Sequence, residues 1–122
     1  MQIQVNSDKH ISMHAALSTF IEGRLRHVLD RFEGQLTRIE VHLSDENGNK
    51  SGSQDKRCLL EARPKRYQSL IVTNDSPEVT TAVSGAVEEM QRLLETTFGR
   101  LSHKHRGETP RTDLVELTLS VD

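Results

Sequence analysis

Three short stretches of the chain alternate apolar and polar residues, and this period of two predicts β-strands that are buried on one face. They are residues 2–6, 36–44 and 56–63. Residues 67–73 are also expected to form a strand, although the unbroken run Leu70-Ile71-Val72 leaves its buried face undecided. The second and third strands flank a polar, glycine-containing segment, so we expect them to form a hairpin with a long connection.

Two longer stretches repeat apolar residues at three- and four-residue steps, which predicts amphipathic helices. The first should cover residues 13–32, with Ser12 as its N-cap. The second should start at residues 75–78, where a capping side chain, a proline for the first helical position and acidic residues occur together. It should run to about His103, with a bend or an early end near Gly99.

The order of these elements predicts an α+β fold of the type β-α-β-β-β-α. A helix between the first two strands makes a right-handed crossover that joins parallel strands, whereas the hairpins add antiparallel strands. Because only one face of each strand is consistently apolar, both helices should cover the same face of a four-stranded mixed sheet. We expect one such domain, covering residues 1–106 of the 122.

The remaining residues, 107–122, form an acidic tail. Within this tail, apolar side chains occupy alternate positions at Val115, Leu117, Leu119 and Val121, which is the pattern of a further strand. An apolar strand left free is prone to aggregate. We therefore expect the tail strand to add to an edge of the sheet or to pair with a second copy of the chain in a homodimer.

The composition excludes several classes of protein. No apolar run approaches the roughly 20 residues of a membrane span, and the opening MQIQVNSDKH lacks the pattern of a signal peptide. We therefore expect a cytoplasmic protein with no membrane contact. The single cysteine, Cys58, cannot form an internal disulfide, and its place in an apolar alternation predicts a buried thiol.

The sequence offers two weak metal-site patterns, and neither has the ligands that it requires. An EF-hand loop counted from Asp45 has its glycine at the fourth position instead of the sixth, and Lys56 where the glutamate belongs. The histidines at 10, 14, 103 and 105 do not supply three or four convergent zinc ligands. No phosphate-binding glycine loop, zinc-hydrolase motif or nucleophile elbow is present. We expect no metal, no cofactor and no catalytic site.

Charged residues are grouped along the chain, although the 16 basic and 18 acidic residues give a net charge of only −2. Basic side chains gather at residues 24–31, 56–66 and 100–106, whereas acidic side chains gather in the hairpin connection and along residues 75–95. Such separation can create a basic face on a protein of near-neutral charge. The same pattern also fits an ordinary solvated surface with charges of both signs.

Several stretches together resemble the ribosome hibernation-promoting and ribosome-associated inhibitor proteins, also called sigma-factor modulation proteins. The resemblance covers residues 1–106 and rests on MQIQV, ISMHAALSTFIEGRLRHVLDRF, LTRIEVHLSDENG, KRCLLEAR and SPEVTTAVSGAVEEMQRLL. It implies the fold of double-stranded-RNA-binding domains and a stress protein that binds the small ribosomal subunit near the decoding region. There it would block messenger and transfer RNA and so inhibit translation. The DENG loop and the following strand resemble a proteobacterial subgroup of short members.

The resemblance also implies RNA contacts on both helices, at Arg24, Arg26, Arg31, Arg92, Arg100 and Lys104. Charge density on the middle strands and their turn adds Lys56, Arg57, Arg63, Lys65 and Arg66. Such residues bind ribosomal RNA through its phosphates and shape rather than its bases. In the second helix, Glu95-Thr96-Thr97-Phe98 occupies the start of a run that is basic in better-known members.

A second hypothesis is a homo-oligomeric protein-interaction module without strong ribosome binding. The mixed charge and the acidic tail favour this module, whereas the three basic clusters and the family resemblance favour RNA binding. The two hypotheses differ in the salt dependence of ribosome binding, which is steep only if phosphates are the partner.

Overall fold

The computed structural model describes the backbone of residues 1–46 and 55–108, and the side chains of residues 1–46 and 55–101. The elements are β1 (Gln2–Ser7), α1 (Ala15–Leu29), a 3-10 helix (Asp30–Gln35), β2 (Leu36–Asp45), β3 (Lys56–Pro64), β4 (Leu70–Ser76) and α2 (Val79–Glu108). The predicted α+β order is confirmed. Residues 109–122, which contain the predicted tail strand, lie outside the described range.

The four strands form one sheet in the order β1-β2-β3-β4. β1 is parallel to β2, and the β2–β3 and β3–β4 pairs are antiparallel, as predicted. The register aligns apolar residues into rows across one face, such as the row of Val5, Val41, Leu60 and Val72. The opposite face, which we call the open face, is mostly polar, as in the row of Gln4, Glu40 and Glu61, which ends at the apolar Ile71 of β4.

Residues Met1–Gln91 form one compact unit that holds the whole sheet, and a second unit begins at Arg92 within α2. In the first unit each helix buries a stripe of aliphatic side chains at helical spacing. In α1 the stripe is Leu17, Ile21, Leu25 and Leu29, and in α2 it includes Ala82, Val83, Ala86, Val87 and Met90. β4 buries Leu70 and leaves Ile71 56% exposed, which settles the facing that the sequence left undecided.

At Gly85, α2 approaches β4 closely. A Cβ atom at this position would lie 2.6–2.8 Å from the side-chain amide of Asn74. That amide donates a hydrogen bond from Nδ2 to Glu89 Oε2 over 3.3 Å. Glycine lowers helix propensity by about 1 kcal/mol relative to alanine, but here it provides room for the Asn74 side chain.

The structure corrects the predicted ends of both helices. α1 begins at Ala15 and not at residue 13, because His14 is its N-cap: the extended His14 places Nδ1 3.2 Å from the Leu17 amide, from which it accepts a hydrogen bond. The expected N-cap, Ser12, lies outside the helix. The expected last residues of α1 tighten into the 3-10 helix. α2 continues past Gly99 to Glu108, so the expected early end is wrong.

The structure also shifts the boundary between β4 and α2. β4 covers residues 70–76 and not 67–73, because Asp75 and Ser76 pair with Arg57 and Lys56 of β3. The Glu78 amide then donates a hydrogen bond to Ser76 Oγ over 3.4 Å, and α2 starts at Val79. Asp75 and Ser76, which the sequence assigned to a helix start, therefore end a strand, and Pro77 precedes the helix instead of occupying its first position.

Burial makes the Cys58 thiol unreactive. Its side chain is fully buried on the apolar face of β3, as the alternation predicted. Burial raises the pKa of the thiol to about 12, because a thiolate would lose its hydration there. The sulfur therefore stays protonated at physiological pH and acts as a packing residue.

Candidate nucleic-acid interface

The sheet has two ends that differ in charge. The turn end consists of the β3–β4 turn (residues 65–69), the 3-10 helix, the last turn of α1 and the start of β2. The Lys65 amide donates a hydrogen bond to the Gln35 carbonyl over 3.0 Å, which holds the turn against the 3-10 helix. The hairpin end consists of the end of β1, the end of β2, the start of β3 and the end of β4.

The turn end gathers exposed basic residues from three elements. Arg26 lies in the last turn of α1, Arg31 in the 3-10 helix, and Lys65 and Arg66 in the turn. The Arg31 guanidinium carbon lies 4.8 Å from the centre of the Phe32 ring, which restricts its motion. Among residues 1–46 and 55–101, no carboxylate forms a salt bridge with Arg26, Lys65 or Arg66. The structure thus brings together four of the predicted RNA-binding residues.

At the hairpin end, Lys56 is enclosed by carboxylates. Its Nζ lies 3.1 Å from Asp55 Oδ1 and 3.4 Å from Asp45 Oδ2, and these two acidic side chains are 3% and 7% exposed. Asp55, with a further contribution from Asp45, raises the pKa of Lys56. The Asp45 amide also donates a hydrogen bond to Asp8 Oδ2 over 3.2 Å, which ties the end of β1 to this cluster. These contacts favour a structural role for Lys56.

Arg57 is also neutralised by acidic neighbours. Its Nε and Nη2 donate to the two carboxylate oxygens of Asp75 over 2.8 and 3.2 Å, and its Nη1 lies 3.7 Å from Glu46 Oε1. This fork raises the pKa of Arg57 and lowers the pKa of Asp75. The described residues of the hairpin end are acidic in sum: Asp8, Asp45, Glu46, Asp55, Asp75 and Glu78 outnumber Lys9, Lys56 and Arg57.

On the open face, Glu40 binds three basic side chains at once. Its carboxylate lies 2.6 Å from Arg38 Nη2, 3.6 Å from Arg63 Nη2 and 3.2 Å from His42 Nε2. The hydrogen bond with His42, followed by the charges of Arg38 and Arg63, lowers the pKa of Glu40. Arg63 Nε also lies 3.5 Å from Glu61 Oε2. Arg63, a predicted RNA contact, is therefore part of an ion-pair network.

The predicted contacts on the helices differ in their surroundings. In the first unit, Arg24 is 32% exposed, and its Nη2 lies 4.0 Å from Glu88 Oε2 of α2. In the second unit, Arg92 and Arg100 are exposed on α2. Lys104 belongs to α2 by its backbone, but its side chain lies outside the described residues.

Within the described side chains, no group of three histidine, cysteine or acidic residues is arranged to hold a metal ion. The described helices also include none that is long and apolar enough to cross a membrane.

The model of the family described as sigma 54 modulation protein / S30EA ribosomal protein matches residues 3–102. The chain belongs to this family. Its members are ribosome-associated proteins of the hibernation type, so the resemblance read from the sequence motifs is confirmed. No curated protein sequence matches the chain.

Two solved structures show the same fold. The N-terminal domain of Protein Y from Thermus thermophilus has a TM-score of 0.65 and 15% identity, and the match covers 80% of this chain and 99% of that one. A ribosomal subunit interface protein from Coxiella burnetii has a TM-score of 0.62 and 16% identity, and the match covers 81% and 99% of the two chains. The predicted four-stranded mixed sheet with two helices is confirmed as the fold of this family.

Proposed function

We propose that this protein binds the small ribosomal subunit through ribosomal RNA near the decoding region and thereby inhibits translation, as a non-enzymatic stress factor in the cytoplasm. The observation that carries this proposal is the turn end, where Arg26, Arg31, Lys65 and Arg66 project from one end of the sheet. Three of these four residues have no carboxylate partner among the described side chains. Occupying the decoding region would exclude messenger and transfer RNA.

The turn end is suited to phosphates because its basic residues are presented by short, well-anchored segments. The hydrogen bond from the Lys65 amide to the Gln35 carbonyl restrains the backbone of the turn, so less backbone entropy is lost on binding. RNA in its A-form is recognised mainly by shape and by its phosphate and ribose groups. Arg92, Arg100 and Lys104 on α2 are proposed as further phosphate contacts. Arg24, Lys56, Arg57 and Arg63 would contribute only where a phosphate displaces or joins their carboxylate partners.

The proposal predicts steep salt dependence of binding to isolated small subunits. The four contacts proposed at the turn end alone correspond to a slope of about −3 to −4 in a plot of log affinity against log salt concentration, and the contacts proposed on α2 would make it steeper. The affinity should therefore fall by at least about 100-fold between about 50 and 200 mM salt. Cosedimentation across this range measures the slope, with large subunits as the control. Absence of binding at the lowest salt, with subunits from the protein's own source, would contradict the proposal.

The alternative, a homo-oligomeric module, is favoured by one observation at the edge of the sheet. β4 is an edge strand, and its Ile71 is the exposed large apolar side chain of the described residues, at 56% exposure. An uncovered edge strand is a template for pairing with a further strand. We propose that the tail strand of residues 107–122, acting between two copies, forms a homodimer.

Substitutions in the tail test this homodimer. Leu117→Lys with Leu119→Lys places charge on the apolar side of the predicted tail strand and should convert a dimer to a monomer. Thr118→Lys with Ser120→Lys adds the same charge on the polar side and should leave the dimer intact. Sedimentation equilibrium over a range of concentrations measures the mass. Equal masses for both double variants would exclude dimerisation through this strand.

A further inference from the structure

Arg38, one of the polar residues in the alternating pattern of β2, lies directly opposite Arg63 in the β2–β3 register. Two like charges in directly opposite positions of an antiparallel pair are destabilising. The row that they form is close to the turn end: Thr37 Oγ1 donates a hydrogen bond to the Arg63 carbonyl over 2.9 Å, and Lys65 follows two residues later. The basic turn end therefore continues onto the open face.

Glu40 holds this arginine pair together. The carboxylate lies one row further from the turn end, 2.6 Å from Arg38 Nη2 and 3.6 Å from Arg63 Nη2, and its side chain is only 12% exposed. The two arginine side chains are more accessible, at 33% and 43%. A guanidinium has five N–H donors, so each arginine keeps donors for a second acceptor beside Glu40.

We propose that Arg38 and Arg63 form a paired guanidinium site for one backbone phosphate of RNA, and that Glu40 is a positioning residue for this pair. The inference rests on the proposed RNA binding at the turn end. It adds Arg38, and with it the part of the open face next to the turn end, to the proposed contact surface. A phosphate can accept hydrogen bonds from both guanidiniums at once, and between the two arginines it would act in the same way as the Glu40 carboxylate.

The acidic neighbours of Arg38 and Arg63 determine whether the site acts mainly through long-range attraction or through geometry. Glu40 and Glu61 balance the charge of the two arginines, so the site contributes little long-range attraction. Its contribution is geometric: Glu40 already holds the two guanidiniums in place before RNA arrives, next to a turn whose Lys65 and Arg66 have no carboxylate partner among the described side chains. Such prior ordering lowers the entropy lost on binding.

Arg38→Gln tests the site, measured as affinity for isolated small subunits across a range of salt concentrations. The affinity should fall about five- to tenfold at low salt, and the salt slope should become shallower by about one phosphate contact. Lys9→Gln removes the same charge at the hairpin end and should change neither value by as much. Thermal unfolding checks that both variants are folded.

The outcomes separate this inference from the proposed function. If the wild type binds with a steep slope and Arg38→Gln behaves like Lys9→Gln, the phosphate site is wrong and the ribosome binding stands. If the wild type does not bind, the proposed function fails. Repeating the titration with protein-free ribosomal RNA excludes a ribosomal-protein carboxylate as the partner: a loss seen with subunits but not with bare RNA would overturn the inference.

Glu40→Gln tests the positioning role. Removing a negative charge near RNA should by itself tighten binding, and Glu22→Gln on the exposed face of α1 is the matched control for this effect. If Glu40 positions the arginine pair, Glu40→Gln should bind about three- to fivefold more weakly than Glu22→Gln, and its salt slope should be shallower. Binding as tight as that of Glu22→Gln would show that Glu40 has no positioning role.

Discussion

Reversal of the two charges in the β3–β4 turn, by Lys65→Glu with Arg66→Glu, should abolish association with the small subunit at physiological salt. The change removes two proposed phosphate contacts and adds two groups that repel phosphates, so we expect the affinity to fall by at least about 100-fold. Both side chains are exposed, so the free energy of unfolding should change by less than about 1 kcal/mol. Cosedimentation at several salt concentrations, together with urea unfolding, measures both quantities.

Single charge reversals allow a direct comparison of the turn end with the hairpin end. Lys65→Glu and Lys9→Glu introduce the same change at exposed lysines near opposite ends of the sheet. Only Lys65→Glu should weaken binding by more than tenfold, because the turn end is proposed to meet RNA and the hairpin end is not. Equal effects of the two variants would mean that net charge, and not the turn end, determines ribosome association.

The two ends of the sheet differ in whether their basic side chains are already bound to carboxylates among the described residues. At the hairpin end, Asp75 and Asp55 bind Arg57 and Lys56, so a phosphate there would compete with a carboxylate that is already in place. At the turn end, the described residues provide no such competitor for Lys65 and Arg66. A protein with a net charge of −2 can therefore present a basic end to RNA.

The open face lacks the side chains that read single-stranded bases. Its rows contain no phenylalanine, tyrosine or tryptophan on the described strands, and aromatic side chains are the usual stacking platforms on RNA-binding sheets. The arginine pair at Arg38 and Arg63 suits phosphates instead. This arrangement agrees with binding to the backbone of folded ribosomal RNA.

β2 and β3 were predictable from the sequence because their burial is one-sided, whereas β4 begins and ends three residues later than predicted. In β2 and β3, buried and polar residues alternate almost without exception, and the structure confirms both strands to within one residue of the predicted bounds. The ends of the helices were less predictable, because they depend on single contacts. Asp75 can cap a helix or bind an arginine, and only the β3–β4 register, which places it beside Arg57, decides between these roles.

The sequence predicted where basic residues cluster, but it did not predict which carboxylates pair with them. The sequence shows that Arg57 and Arg63 are basic, yet their carboxylate partners are not fixed by sequence distance: Asp75 lies 18 residues from Arg57. Arg38 carried no signal of its own, because it is one polar residue in an alternating strand. Its position opposite Arg63 depends on the register of a hairpin whose connection is long, and sequence alone does not set that register.

Leu60→Ala should destabilise the protein by about 3 kcal/mol, whereas Leu59→Ala should cost less than about 1 kcal/mol. The two leucines are neighbours in β3 but lie on opposite faces of the sheet. Leu60 is fully buried between Val41 and Val72, so its truncation leaves a cavity in the aliphatic core. Leu59 is half-buried on the open face between His42 and Thr73, where water can fill the space.

Urea unfolding of both variants measures the difference, with an unchanged slope of free energy against urea concentration as the sign of an intact fold. Binding to small subunits at low salt provides a second measurement: both variants should bind like the wild type wherever they are folded, because neither leucine is a proposed RNA contact. Equal destabilisation by the two substitutions would mean that the open face is covered in solution. In that case a partner strand or a second copy, and not water, would be in contact with Leu59.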